Sequence, residues 1–188
     1  GDSIRTEKVI AQQIGGWNQE IEGLNRTNGM PVTAVDNSEG PYRGRIYVMW
    51  GDIRHGETNA DIFLAHSDDN GERFSTPTKV NQDTTNTHQF LPWMSIDNKT
   101  GAVYSVYYDR SNYTNDSTDV IFTYSQDGGL SWQHRKINLE GFSVNPKVFF
   151  GDYNNITSRN GKVYPIWTEF HKGYLSVWTA IIDLTKED

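Results

Sequence analysis

Two short patterns recur along this chain with nearly the same spacing, and that repeat constrains the fold more than any other feature. Arg45-Ile46-Tyr47-Val48-Met49-Trp50, Ala102-Val103-Tyr104-Ser105-Val106-Tyr107 and Lys162-Val163-Tyr164-Pro165-Ile166-Trp167 share one apolar-aromatic pattern. Their central tyrosines are Tyr47, Tyr104 and Tyr164, so the pattern returns after roughly 60 residues each time. Ser67-Asp68-Asp69-Asn70-Gly71-Glu72-Arg73-Phe74 and Ser125-Gln126-Asp127-Gly128-Gly129-Leu130-Ser131-Trp132 both read Ser-x-Asp-x-Gly-x-x-aromatic, in the same phase. A fixed period marks a repeat architecture, in which each unit buries its apolar face against the next.

Each period resolves into short strands. In the second, the pattern predicts strands over Trp93–Asp97, Ala102–Tyr108, Asp119–Ser125 and Trp132–Ile137. They are rich in Val, Ile, Tyr, Phe and Trp and bounded by Asn, Asp and Gly, the composition of half-buried strands and tight turns. No 3.6-residue periodicity is long enough for a substantial helix. Four strands per period make one antiparallel blade of a β-propeller, and the fold class is therefore all-β. The whole chain, 1–188, reads as one partial propeller with repeats at 28–85, 86–145 and 146–183. The third repeat supplies Val148–Thr157, Lys162–Trp167 and Leu175–Ile182 but no fourth strand. At the other end Thr6-Glu7-Lys8-Val9-Ile10 matches Pro77-Thr78-Lys79-Val80-Asn81, so residues 5–14 are expected to be the outer strand of a neighbouring blade. Gly1-Asp2-Ser3 reads as a processing remnant.

Composition narrows the partners. A formal net charge of -7, with scattered charges, argues against nucleic acid or an anionic membrane. No apolar run approaches the roughly 18–20 residues of a membrane-spanning helix, and no signal peptide is visible at the start. The chain has no cysteine, so disulfides, thiol nucleophiles and Cys-ligated metals are ruled out. That usage fits a bacterial exported protein, secreted or at the cell surface. The sequons at Asn25, Asn98, Asn112, Asn115 and Asn155 are expected by chance in so Asn/Thr-rich a chain.

Ser67–Phe74 and Ser125–Trp132 resemble the Asp-box, or bacterial neuraminidase repeat, of sialidase-like propellers, and the repeat covers nearly the whole chain. The resemblance implies a hairpin between third and fourth strands, with the Asp capping backbone N–H groups, a Gly at positive φ and an aromatic packed under the blade. That role is structural. Sialidase-like rings have six blades, and a propeller needs at least four. The chain is therefore expected to be the C-terminal half of such a ring, completed either by a missing half or by a second copy that exchanges its first strand.

In such propellers the substrate face carries the loops from strand four to one and from strand two to three. Here these are 15–30, 51–61, 82–91, 109–119, 141–152 and 169–173. Asp52 with Arg54, Asp109 with Arg110, and Glu169 stand at like points after successive second strands, and Arg26 and Trp17 lie in the first long loop. Two readings stay open for the charged groups: blade-to-blade ion pairs that fix loops, or a cup whose arginines bind a glycan carboxylate bidentately. The sialidase resemblance implies an arginine triad, a Tyr nucleophile assisted by Glu, and an Asp acid/base. Gly151-Asp152-Tyr153-Asn154-Asn155-Ile156 looks like the segment bearing the nucleophile, which makes Tyr153 the candidate nucleophile and Glu169 a candidate catalytic carboxylate. The alternative for Tyr153 is an aromatic packing at a strand start.

The match is incomplete. Arg110 is displaced by about two residues from a triad position, Leu91 stands where the assisting carboxylate is wanted, and the Phe-Arg-Ile-Pro motif is absent. The chain alone is expected to be inactive. Its partner is expected to be a glycan or glycoprotein, with a non-catalytic cell-surface scaffold as the other reading. His55, His66, His88, His134 and His171 lack metal-ligand spacing. No cofactor is expected, with Asp116–Asp119 and Asp152 as the one candidate set for a structural calcium.

Overall fold

The computed structural model describes residues 7–16 and 18–186. Three antiparallel sheets follow one another along the chain. The first contains β1 (Val32–Val35), β2 (Ile46–Asp52), β3 (Asp61–Ser67) and β4 (Thr78–Lys79), in spatial order 1-2-3-4. The second repeats that order with β5 (Gln89–Ile96), β6 (Val103–Asp109), β7 (Asp119–Ser125) and β8 (Gln133–Lys136). The third contains β9 (Asn155–Arg159), β10 (Lys162–His171), β11 (Tyr174–Thr179) and β12 (Ile182–Asp183). A 3₁₀ turn at Leu184–Lys186 follows.

The third sheet is only three lanes wide. β11 pairs Thr179 with Ile166, and β12 pairs Ile182 with Val163, so both continue one register along the same edge of β10. β9 takes the other edge. Among the described residues no strand pairs outside β11, every residue of which is exposed. Blades one and two each carry a fourth strand there.

Stacking order explains the burial. Every residue of β6 and β7 is buried, because sheets one and three cover both faces of the middle sheet. Such strands read as continuous apolar runs rather than alternating ones. Tyr47, Met49 and Leu64 pack against Val103, Tyr107 and Trp132 between blades one and two. Tyr104, Val106 and Phe122 pack with Ile156, Val163 and Trp167 between blades two and three. β10 has only that one covered face, and buried Val163, Pro165 and Trp167 alternate with exposed Lys162, Tyr164 and Ile166.

Three expected elements differ. Of the outer strand expected over 5–14, residues 5 and 6 lie outside the described residues and 7–14 form no strand. Ile10 and Ala11 instead lie on the free side of sheet one, against Trp50 and Phe63, and Lys8 Nζ reaches Glu72 Oε2 at 2.5 Å. The strand expected from Val148 begins at Asn155, because Val148 is still held in a turn by its bond to the Asn145 carbonyl and Gly151, at φ +130°, interrupts the run. The strand expected from Trp93 instead begins at Gln89 and bulges between Phe90 and Trp93. There Leu91 holds φ +51°, an unusual value for a large side chain, and buried Asn154 donates to the Leu91 carbonyl at 2.9 Å.

Candidate functional site

β2 and β6 each end in an acid, and β10 carries Glu169 two residues before its end at His171. Asp52 and Asp109 pair in register with Asp61 and Asp119, which open the third strands. These acids stand at the sheet ends opposite the Ser67–Phe74 and Ser125–Trp132 turns. Asp52, Asp109 and Glu169 are all buried.

Blades one and three treat this acid alike. Trp50 Nε1 donates to Asp52 Oδ2 at 2.8 Å, and Trp167 Nε1 to Glu169 Oε1 at 2.6 Å. A base two residues on closes the clamp. Arg54 grips Asp52 through Nε at 2.9 Å and Nη2 at 2.5 Å, and His171 Nε2 lies 2.6 Å from Glu169 Oε2. The pattern Trp-x-acid-x-base is visible in the sequence, but only once the phase of the repeat is known. The Asp52–Arg54 pair therefore lies within one blade, and the expectation of a blade-to-blade bridge gives way to a local clamp.

Blade two departs from that pattern. Arg110 does not pair with Asp109. Its guanidinium is turned inward at 4% exposure, donating Nη1 to the Glu22 carbonyl at 2.7 Å and Nε to Thr118 Oγ1 at 3.1 Å. Its Nη2 has no partner among the described residues. Burial lowers the Arg110 pKa against the nearby charges of Asp116 and Glu22. Asp109 accepts instead from Ser111 and Gln89. A buried polar chain then crosses the blade junction. Asn81 Nδ2 donates to Asp61 Oδ1 and to Gln89 Oε1, both at 2.7 Å, and Gln89 Nε2 donates to Asp109 Oδ1 at 2.9 Å.

A second group of candidates gathers at the entry to blade three. Arg26 holds Asp152 bidentately, Nε to Oδ1 at 3.0 Å and Nη2 to Oδ2 at 2.5 Å, and lies 5.0 Å over the Phe149 ring. Tyr153, 66% exposed, sits with its ring 5.8 Å from Trp93. Tyr153 makes no hydrogen bond to Glu169, whose side chain is sealed and already held by Trp167 and His171. Trp17 lies outside the described residues. The carboxylates considered for calcium are divided: Asp119 takes Lys136 Nζ at 2.8 Å, Asp116 takes Ser143, and Asp152 takes Arg26.

The Ser-x-Asp turns are built by their own hydroxyls and carboxylates. Ser67 Oγ accepts from Gly71 N at 2.9 Å, and Ser125 Oγ from Gly129 N at 2.8 Å. Asp69 takes Arg73 N and Asp127 takes Ser131 N, while Asn70-Gly71 and Gly128-Gly129 hold positive φ. Hydrogen bonds from Arg73 and Ser67 hold the Asp69 carboxyl at about 2. Burial pushes Asp127 up, but bonds from Ser131, Ser125 and Leu130 outweigh it, again to about 2. A carboxyl lowered on folding contributes stability above its unfolded value, near 4, and loses that contribution as pH falls through its folded value. Asp127→Asn should therefore flatten the loss of stability between pH 4 and pH 2, read by urea unfolding at stepped pH. An unchanged slope would refute the capping role.

The sheet order and repeated stacking place the chain in the β-propeller class, as a run of three blades. No protein-family model matches the chain, and no curated protein does. Solved structures share the fold, among them the two that follow. An α-L-arabinanase of Penicillium chrysogenum, complexed with arabinobiose, superposes with a TM-score of 0.60 and 16% identity over 83% of this chain and 46% of its own. The Hadza microbial sialidase Hz136 superposes with a TM-score of 0.54 and 14% identity over 81% of this chain and 32% of its own. At these identities the likeness establishes the fold alone. This chain spans less than half of either relative.

Proposed function

We propose that this chain is part of an exported, sialidase-like Asp-box propeller that binds acidic glycans at the rim formed by Arg26, Asp152, Tyr153 and Trp93. The observation that carries this reading is the placement at that rim of an exposed arginine and the exposed Tyr153 ring beside the half-buried Trp93. Arg26 is 57% exposed at its side chain, and Tyr153 stands open beside Trp93. Arginine recognises a carboxylate through its planar fork, and aromatic faces stack on sugar rings. The arabinanase and the sialidase, both glycan-acting propellers by name, are consistent with this class of ligand. The ring would be completed by a missing half or by a second copy, supplying the strand that β11 lacks.

Binding is favoured over hydrolysis in this chain because its candidate catalytic groups are not assembled. Leu91 replaces the assisting carboxylate, and Glu169 is sealed between Trp167 and His171. The competing reading, a scaffold for protein partners, draws on the exposed side chains of Tyr174, Val177 and Ile181 along the open edge.

Glycan-array binding followed by titration separates the two. Arg26→Ala should weaken sialoside binding about tenfold, the size of a lost charge-assisted hydrogen bond. Tyr153→Phe, which keeps the ring, should bind nearly as wild type, and Tyr153→Ala should not. A fluorogenic sialoside should be turned over by neither wild type nor Tyr153→Phe. Turnover by wild type that Tyr153→Phe abolishes would restore the catalytic reading. Absence of glycan binding by wild type would leave the scaffold.

A further inference from the structure

The open side of blade three is, residue for residue, a face that the other two blades bury. Tyr47, Met49 and Ile62 of blade one are sealed against blade two, and Tyr104, Val106 and Val120 of blade two against blade three. Register puts Tyr164, Ile166 and Val177 at the same three positions, since Gly51 pairs with Ile62, Tyr108 with Val120 and Thr168 with Val177. Those three side chains are 37%, 43% and 74% exposed. In a repeat architecture such a face is covered by another unit of the same kind.

The polar contacts at the two built junctions define which unit fits. Asp36 and Asp97 follow the first strands of blades one and two, each donating its N–H to the carbonyl opposite, of Arg45 and Ala102. Their carboxylates reach the turn before the second strand of the next blade. A Cβ on Gly101 would lie 2.5 Å from Asp36 Oδ2, and Gly161 N donates to Asp97 Oδ2 at 2.7 Å. Beside it, Asn160 N donates to Asn98 Oδ1 at 3.1 Å. In blade three the same position, paired with Lys162, is the exposed Arg159. Blade three thus offers a cation where the built junctions offer a carboxylate.

The receiving turn of blade one, in phase with Asn160-Gly161, is Arg43-Gly44. Both residues are exposed, and a Cβ on Gly44 would meet nothing within 4 Å among the described residues. Setting blade one of a second copy on blade three brings Arg159 against Arg43, a like-charge contact in the place of the carboxylate latch. The segment 7–14 also occupies that side of sheet one, with Ile10 and Ala11 on Trp50 and Phe63. We infer that blade three docks a further propeller blade that is not a copy of blade one, and whose first turn carries an acid in the place of Arg43. This rests on the reading of the chain as part of a ring and names the unit that continues it. It involves no sugar, so it stands or falls apart from glycan binding.

Sedimentation equilibrium tests this by giving a second copy the chemistry required. Wild type should be a monomer. Ile10→Asp, which loosens the cover over sheet one, should be a monomer too, because Arg43 still faces Arg159. Adding Arg43→Glu should produce a species of twice the monomer mass, and adding Val177→Asp to that pair should return it to monomer. Arg43 and Val177 are exposed, so neither change should alter thermal unfolding. A wild-type dimer that Val177→Asp dissociates would make a second copy the occupant, keeping the ring and overturning the requirement for an acidic turn. A monomeric Ile10→Asp/Arg43→Glu variant, equal association with and without Arg43→Glu, or a dimer that survives Val177→Asp would each overturn the docking assignment itself.

Discussion

Trp132→Ala should lower the unfolding free energy by about 3–5 kcal/mol, the range for removing a buried aromatic and leaving its cavity. In a chain of this length that corresponds to a fall in Tm of roughly 10 °C. The indole is 7% exposed and packs with Tyr47, Leu64 and Tyr107 between blades one and two. Its N–H has no partner among the described residues, so the contribution is one of packing. Trp132→Phe should then keep most of the stability, losing about 1–2 kcal/mol. Phe74 occupies the same place in the first repeat but is only half-buried, on the free side of sheet one. Phe74→Ala should cost about 1 kcal/mol. Equal losses at the two positions, measured by calorimetry or urea unfolding, would show that the aromatic acts within its own turn and not as a seal between blades.

Gln89→Leu should cost about 2–4 kcal/mol at pH 7, although the two side chains are similar in size. Gln89 has no exposed surface and links the Asn81 amide to the Asp109 carboxylate in the chain that joins the first two blades. Leucine removes one acceptor from the buried Asn81 amide and one donor from the buried Asp109 charge, and this loss costs more than the net value of the bonds themselves. The pH dependence carries a sign. Burial already raises the Asp109 pKa against the hydrogen bonds that lower it, one of them from Gln89. Removing that bond raises it further. A carboxyl raised on folding is a penalty above its unfolded value that vanishes when both states are protonated. The difference between variant and wild type should therefore shrink as pH falls. A constant difference would mean that Asp109 does not feel Gln89.

Much of the fold is legible in strand chemistry. Asp119–Ser125 forms β7 over the expected residues, because a β-rich run between two Asp/Asn-rich turns has no competing structure. Boundaries failed where backbone geometry overrode composition. Pro92 hid the extension of β5 back through the Leu91 bulge, and the apolar look of Val148–Phe150 concealed a loop between Pro146 and Gly151.

The candidate site was legible in part. Asp52, Asp109 and Glu169 could be picked out as equivalents from their phase in the repeat. Their partners could not. Arg54 and Arg110 look alike beside their acids, yet one clamps its own blade and the other is pulled inward by the carbonyl of Glu22, 88 residues away.

The chain's own chemistry determines the unit: short β-rich runs and tight Ser-x-Asp turns, repeated in one phase and governed by contacts between near neighbours. The use of each copy of that unit was decided only in the folded molecule. Which groups hold a given acid depends on what packs around it, and packing between blades joins residues that the sequence keeps tens of positions apart.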